Sequence, residues 1–178
     1  SDPSNIDRRG HRRGCINPAM LETGFGVKGT YAAMWSLDRK RKDVPKFDYV
    51  AFPANGYMRS DYFGVSYAWN ISLNPDIYDE PVKGAALPAI YPVDASYRKT
   101  GDALELDYYN VDCGGFGVKY CIIFRPKSVS ITPGSRYLVE LNGIRSKTGA
   151  TSLSYFVESI NAQSAGTIAL TAPGATGS

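Results

Sequence analysis

The stretch Phe63-Gly-Val-Ser-Tyr-Ala-Trp-Asn-Ile-Ser-Leu73, closed by Asn74-Pro75-Asp76, decides the fold. Val65, Tyr67, Trp69, Ile71 and Leu73 recur at every second position, so an extended chain sets all five on one face. The same period returns downstream. Leu104, Leu106, Tyr108 and Asn110 alternate with Glu105, Asp107 and Tyr109, and Tyr137, Val139 and Leu141 alternate after the turn residues Pro133-Gly134-Ser135. Shorter strands are expected over residues 47–52, 89–93, 118–124 and 153–160, each bounded by a turn such as Pro53-Ala-Asn-Gly56, Lys99-Thr-Gly-Asp102 or Asn142-Gly143. A lone sheet with this pattern would leave an apolar face in water. Two sheets facing each other hide both faces, which predicts a mainly β chain with a sandwich over residues 47–162 and Trp69 in its core.

Composition agrees. Thirteen Tyr and seven Phe are a heavy aromatic load, and eighteen Gly with eleven Pro interrupt the chain often. That mixture favours short strands and turns. No apolar run approaches the roughly 20 residues that cross a bilayer as a helix. The net charge is +3, and no nucleic-acid motif accompanies it. Two basic clusters stand out, Arg8, Arg9, Arg12 and Arg13 around His11, and Arg39-Lys40-Arg41-Lys42. They read either as a polyanion patch or, the preferred reading, as a solvated loop and a surface turn.

The first forty residues follow another pattern. Ile16-Asn17-Pro18 stops a helix, because the residue before proline avoids the helical region, so only a short helix fits around residues 10–15. The runs 23–28 and 30–37 flank Gly29 and read as a hairpin. The second run, Thr30-Tyr-Ala-Ala-Met-Trp-Ser-Leu37, is apolar almost throughout and is expected to be covered on both faces. Residues 38–46 form a charged linker ending near Pro45, the first candidate boundary. Three parts follow: residues 1–40, a sandwich over 47–162, and a final strand or tail over 163–178.

Cys113 and Cys121 flank Gly114-Gly115-Phe116-Gly117, and a bridge between them would staple a hairpin. Two buried free thiols are the alternative. Cys15 is then left over. Asn70-Ile71-Ser72 fits a glycosylation acceptor at Asn70, though its alternating surroundings suit an ordinary strand position. Tyr97, Tyr108 and Tyr109, with other tyrosines, could stack on sugar rings; cross-strand aromatic pairs are the commoner cause. Asp76, Asp79 and Glu80 could hold calcium, but such a run is more often a solvated loop. A serine nucleophile needs a base, and His11 is the only histidine, with no Gly-x-Ser-x-Gly elbow in the chain.

The segment Asp7-Arg-Arg-Gly10-His11-Arg-Arg-Gly-Cys-Ile16-Asn17-Pro18, followed by Thr23-Gly24-Phe25-Gly26 and Tyr31-Ala-Ala-Met-Trp35, resembles the last segment of a CAP domain of the SCP/PR-1 family in its bacterial form. Gly10-His11, Asn17-Pro18, Gly24-Phe-Gly26 and Trp35 carry the match. Phe52-Pro53, Gly56-Tyr57, Trp69-Asn-Ile-Ser-Leu73-Asn74 and Pro133-Gly134 with Tyr137 resemble the immunoglobulin-like β module that follows such segments in some bacterial surface proteins. The resemblance implies the partial α/β tail of a CAP domain before an immunoglobulin-like sandwich, in a secreted or cell-surface protein. It also implies that His11 matches one of two histidines of a cleft that, with two acidic residues, can bind a divalent metal. The remaining ligands belong to segments N-terminal to this one, so a metal at His11 needs a partner segment. A zinc site takes three or four ligands, and the flanking arginines repel a cation.

These readings converge on a non-enzymatic structural or adhesive protein working through protein–protein contact, expected to be a processed part of a longer precursor. Its partners would be the missing N-terminal CAP fragment or further copies of itself, with no nucleic acid involved. A glycan or cell-wall binding module is the second reading, and half of a metal-binding cleft completed by another chain is the third.

Overall fold

The computed structural model describes residues 5–161, so the expected strand or tail over 163–178 lies outside the described residues. A short helix α1 (Gly10–Cys15) comes first, then β1 (Gly24–Lys28) and β2 (Tyr31–Trp35). Eight further strands follow: β3 (Tyr49–Phe52), β4 (Gly56–Arg59), β5 (Trp69–Leu73), β6 (Leu87–Pro92), β7 (Leu106–Asp112), β8 (Cys121–Pro126), β9 (Arg136–Asn142) and β10 (Ser152–Ile160). The chain is mainly β, as the alternation predicts.

The eight strands make two four-stranded sheets, in the orders β4-β10-β9-β6 and β3-β5-β8-β7. Every neighbouring pair is antiparallel except β10 with β4, which run parallel. One apolar cluster joins the sheets. Trp69, Ile71 and Leu73 of β5 and Ile122 and Phe124 of β8 meet Tyr137, Val139 and Leu141 of β9 and Tyr155 and Val157 of β10. The Trp69 ring meets Tyr137 edge-on across the two sheets, with centroids 5.9 Å apart. In β9 the buried positions are Tyr137, Val139 and Leu141, the period-two set read from the sequence.

Strand β5 departs from that rule, since all five of its residues are buried. Its second face carries Asn70 and Ser72, beside Ala68, Cys121 and Ile123, and Ile6 packs over that patch. The N-terminal segment therefore covers the outer face of the second sheet. The strand is also shorter than its alternation predicts. The Tyr67 amide bonds back to the Gly64 carbonyl at 2.9 Å, so residues 64–67 turn, and Val65 is exposed. Strand β4 was not expected at all. It is four residues without alternating burial, and it pairs with a strand a hundred residues later in the chain.

The hairpin β1–β2 forms a separate two-stranded sheet, in register from Gly24 opposite Trp35 to Lys28 opposite Tyr31. All ten of its residues are exposed. This corrects the expectation that the second run is covered on both faces. No described residue lies over either face closely enough to bury it. Asp38, at the start of the linker, is buried rather than solvated. Its carboxylate accepts the amides of Leu21, Glu22 and Lys40, and the Leu21 amide is the largest cause holding its pKa below the usual value.

Candidate functional site

Helix α1 is held from both sides by close approach. A β-carbon on Gly10 would lie 3.1 Å from the Phe116 ring, and one on Gly14 would lie 3.0 Å from the Ser36 hydroxyl. Gly117 sits with φ +70°, where a β-carbon would collide with the Arg13 carbonyl. The glycine-rich loop 114–117 is thus shaped to the helix it wraps.

The arginines of α1 do not behave as a solvated cluster, which corrects the preferred reading from sequence. The Arg13 side chain is fully buried. It pairs with Asp112 at the end of β7 and donates to the carbonyls of Arg8 at 3.0 Å, Gly114 at 3.2 Å and Val118 at 3.0 Å. A buried guanidinium needs such compensation, because removing an ion from water costs several kcal/mol or more. Arg9 is also buried. Arg12 is half-buried, and among the described residues its hydrogen-bond acceptors are neutral. One of its nitrogens donates to the Ala68 carbonyl at 2.5 Å and to Asn70 Oδ1 at 3.3 Å. Its guanidinium lies 3.8 Å from the centre of the Phe52 ring and 5.9 Å from that of Tyr67. Burial, with a smaller contribution from Arg9, lowers its pKa to about 10.

Between α1 and the hairpin lies an open groove of about 1040 Å³. Phe25, Val27, Ala32 and Met34 share one face of the hairpin by register and line this groove. Arg8, Arg9, His11 and Arg12 line it from the helix side, Phe52 from the second sheet, and Tyr67 from the turn before β5. No aspartate or glutamate among the described residues lines it. The Cys15 thiol donates to Met34 Sδ at 3.3 Å, joining helix and hairpin. Burial pushes that thiol's pKa up.

His11 is exposed and borders the groove. Among the described residues, no three side chains of His, Cys, Asp or Glu gather as a metal site would require. Cys113 and Cys121 are free thiols, so the expected bridge is corrected. The register gives the reason. Asp112 stands opposite Cys121, so the residue after it turns to the other face of the sheet. Cys121 is buried beside Ser72, while Cys113 lies near Glu80; burial, then the Glu80 charge, pushes the Cys113 pKa up to about 11.

Asn70 is fully buried in the middle of the second sheet with its amide oxygen on Arg12. This fold has no room for a glycan there, which corrects the acceptor reading. The three candidate sugar-stacking tyrosines do not form one platform. The Tyr97 hydroxyl donates to Glu158 at 3.0 Å, on the first sheet, and its ring meets Phe156 edge-on. Tyr108 donates to Asp7 on the outer face of the second sheet. Tyr109, turned the other way, donates to the Ala86 carbonyl at 2.7 Å. The Asp79 backbone amide donates to the Arg145 carbonyl at 2.9 Å and Glu80 lies near Cys113, so these two residues of the 74–80 run serve separate contacts.

Sequence reasoning reached α1, the hairpin and His11 but missed Arg12, Phe52 and Tyr67 as one site. No helix among the described residues is long and apolar enough to cross a membrane. No family model, no curated protein and no solved structure matches the chain.

Proposed function

We propose that this protein works by protein–protein contact, as a structural or adhesive component outside the cell, and that hairpin β1–β2 is its docking element. One observation carries the reading. Phe25, Val27, Tyr31, Met34 and Trp35 are all exposed on a single hairpin, with Leu21 and Leu37 exposed at its base. An apolar surface of that kind, rimmed by polar groups, marks an interaction site. Among the described residues each hairpin strand pairs only with the other, so both edges can accept a further strand.

The resemblance to a CAP tail before an immunoglobulin-like module supports the same reading. On that reading helix α1 and the hairpin belong to the CAP unit, and a further CAP segment or a second copy covers them. The reading of His11 as half of a metal cleft keeps one support, its position on the same groove. Zinc titrated into the native assembly, followed by calorimetry with wild type and His11→Ala, separates that reading from a purely structural one.

The test is the mass and content of the native particle. It is expected to be heavier than its own polypeptide measured under denaturing conditions. The excess should disappear when Phe25, Tyr31 and Trp35 are changed together to serine. A native particle of the chain's own mass, or one whose mass ignores the triple change, overturns the proposal.

A further inference from the structure

The groove between α1 and the hairpin contains an imbalance of charge. Arg12 is half-buried, stacked on Phe52, and bonded only to the oxygens of Ala68 and Asn70. Arg13, the next residue, meets a carboxylate and three carbonyls through its two terminal nitrogens. No carboxylate among the described residues reaches Arg12, and none lines the groove. A desolvated guanidinium presents a planar fork that matches a carboxylate and binds it better than any neutral acceptor.

We propose that the groove receives an extended segment of a partner polypeptide that sets an aspartate or glutamate carboxylate on Arg12, flanked by apolar side chains on the hairpin face. The inference rests on the docking reading above and names the chemistry of the occupant. The apolar part follows from Phe25, Val27 and Met34, which line the same groove as Arg12. The extended form follows from the edges of β1 and β2, which no other strand among the described residues pairs and where an added strand gains main-chain hydrogen bonds. A phosphate or sulfated glycan would satisfy Arg12 but would leave that apolar face wet.

Selection of phage-displayed random dodecapeptides on the folded full chain provides the test. Enriched peptides are expected to carry Asp or Glu beside apolar residues. As synthetic peptides they should lose at least about tenfold in affinity when the acid becomes its amide, the scale of a charge-assisted hydrogen bond lost to a neutral one. Arg12→Gln should produce a similar loss and remove the preference for acid over amide. Arg12→Lys should restore part of it, which guards against a variant that merely unfolds. Peptides without acids, whose binding ignores Arg12 but falls with Phe25→Ser and Trp35→Ser, overturn this inference and leave the docking reading standing. Peptides indifferent to both sets of changes, or no enrichment, count against both. Arg12-dependent binding of heparin or inorganic phosphate, with none of any peptide, overturns the inference in favour of a free anion.

Discussion

Gly117 lies directly against the backbone of Arg13, so close that a β-carbon on it would overlap the Arg13 carbonyl. This contact joins the loop between β7 and β8 to helix α1, a hundred residues earlier, and holds one wall of the groove in place. Gly143 makes the same kind of contact elsewhere, at φ +72° against the Ala85 carbonyl, between the β9–β10 turn and the segment before β6. The two glycines have the same local requirement but serve different parts of the molecule.

Gly117→Ala should cost about 1–2 kcal/mol for the left-handed backbone alone, and more for the displaced carbonyl. The loss should be local. Limited proteolysis is expected to cut near α1 in Gly117→Ala while residues 47–160 stay protected. Gly143→Ala should instead lower the melting temperature of the two sheets themselves. Equal protection of α1 in both variants would mean that the loop does not hold the helix.

The pair of Arg13 and Asp112 is the second fastening. Asp112→Ala strips the buried guanidinium of its carboxylate partner, and breaking such a pair from one side costs about 3–5 kcal/mol. Replacing both, as Arg13→Met with Asp112→Leu, removes the uncompensated charge and should recover much of that loss. Urea unfolding of the two variants measures the difference. A double variant no more stable than Asp112→Ala would show that the three carbonyl bonds, not the charge pair, fix Arg13.

The thiols answer to pH in a defined order. A Cys113 pKa near 11, against an ordinary value of 9.0, leaves about a hundredfold less thiolate at pH 8. Folding favours the neutral thiol, so this contribution to stability is complete below the unfolded pKa and is lost as pH rises through the folded one. Alkylation of the native protein should be slow at Cys113 and should quicken steadily up to pH 11. Cys121, fully buried, should react only on unfolding. Cys113→Ser should leave the melting temperature nearly unchanged, whereas loss of a real bridge would cost about 2–5 kcal/mol. A mass deficit of two hydrogens in the non-reduced protein would overturn the free-thiol assignment.

The same residues show where sequence reading succeeds and where it stops. Tyr137, Val139 and Leu141 announce their face because burial on one side of a strand imposes a period of two. The proline at position 18 ends α1 at its observed boundary for an equally local reason. Val65 and Tyr67 fit the period yet lie in a turn, since Gly64 accepts the Tyr67 amide and interrupts the strand. Spacing alone suggested a bridge between Cys113 and Cys121, but their facing depends on the β7–β8 register, which spacing does not fix. The groove was illegible for a stronger reason. Arginines read as solvated, and what buries Arg13 and Arg12 lies about sixty to a hundred residues away, at Asp112, Ala68 and Asn70.

The two tryptophans make the exposed hairpin measurable. Trp69 is completely buried against Phe63, Phe124 and Tyr137, while Trp35 is 59 % exposed on β2. Trp35→Phe should leave a blue-shifted emission that acrylamide hardly quenches, with stability within about 0.5 kcal/mol of wild type. Trp69→Ala should cost about 3–5 kcal/mol, because a large core side chain leaves a cavity that closes only in part. In Trp69→Phe, which keeps an aromatic ring in the core, the remaining Trp35 emission reports on the hairpin directly. It should be red-shifted and easily quenched in the isolated chain, and should move to the blue when a partner covers β1 and β2. A Trp35 that is already protected in dilute monomer would mean that some other part of the chain covers the hairpin, and the docking surface would then have to be sought elsewhere.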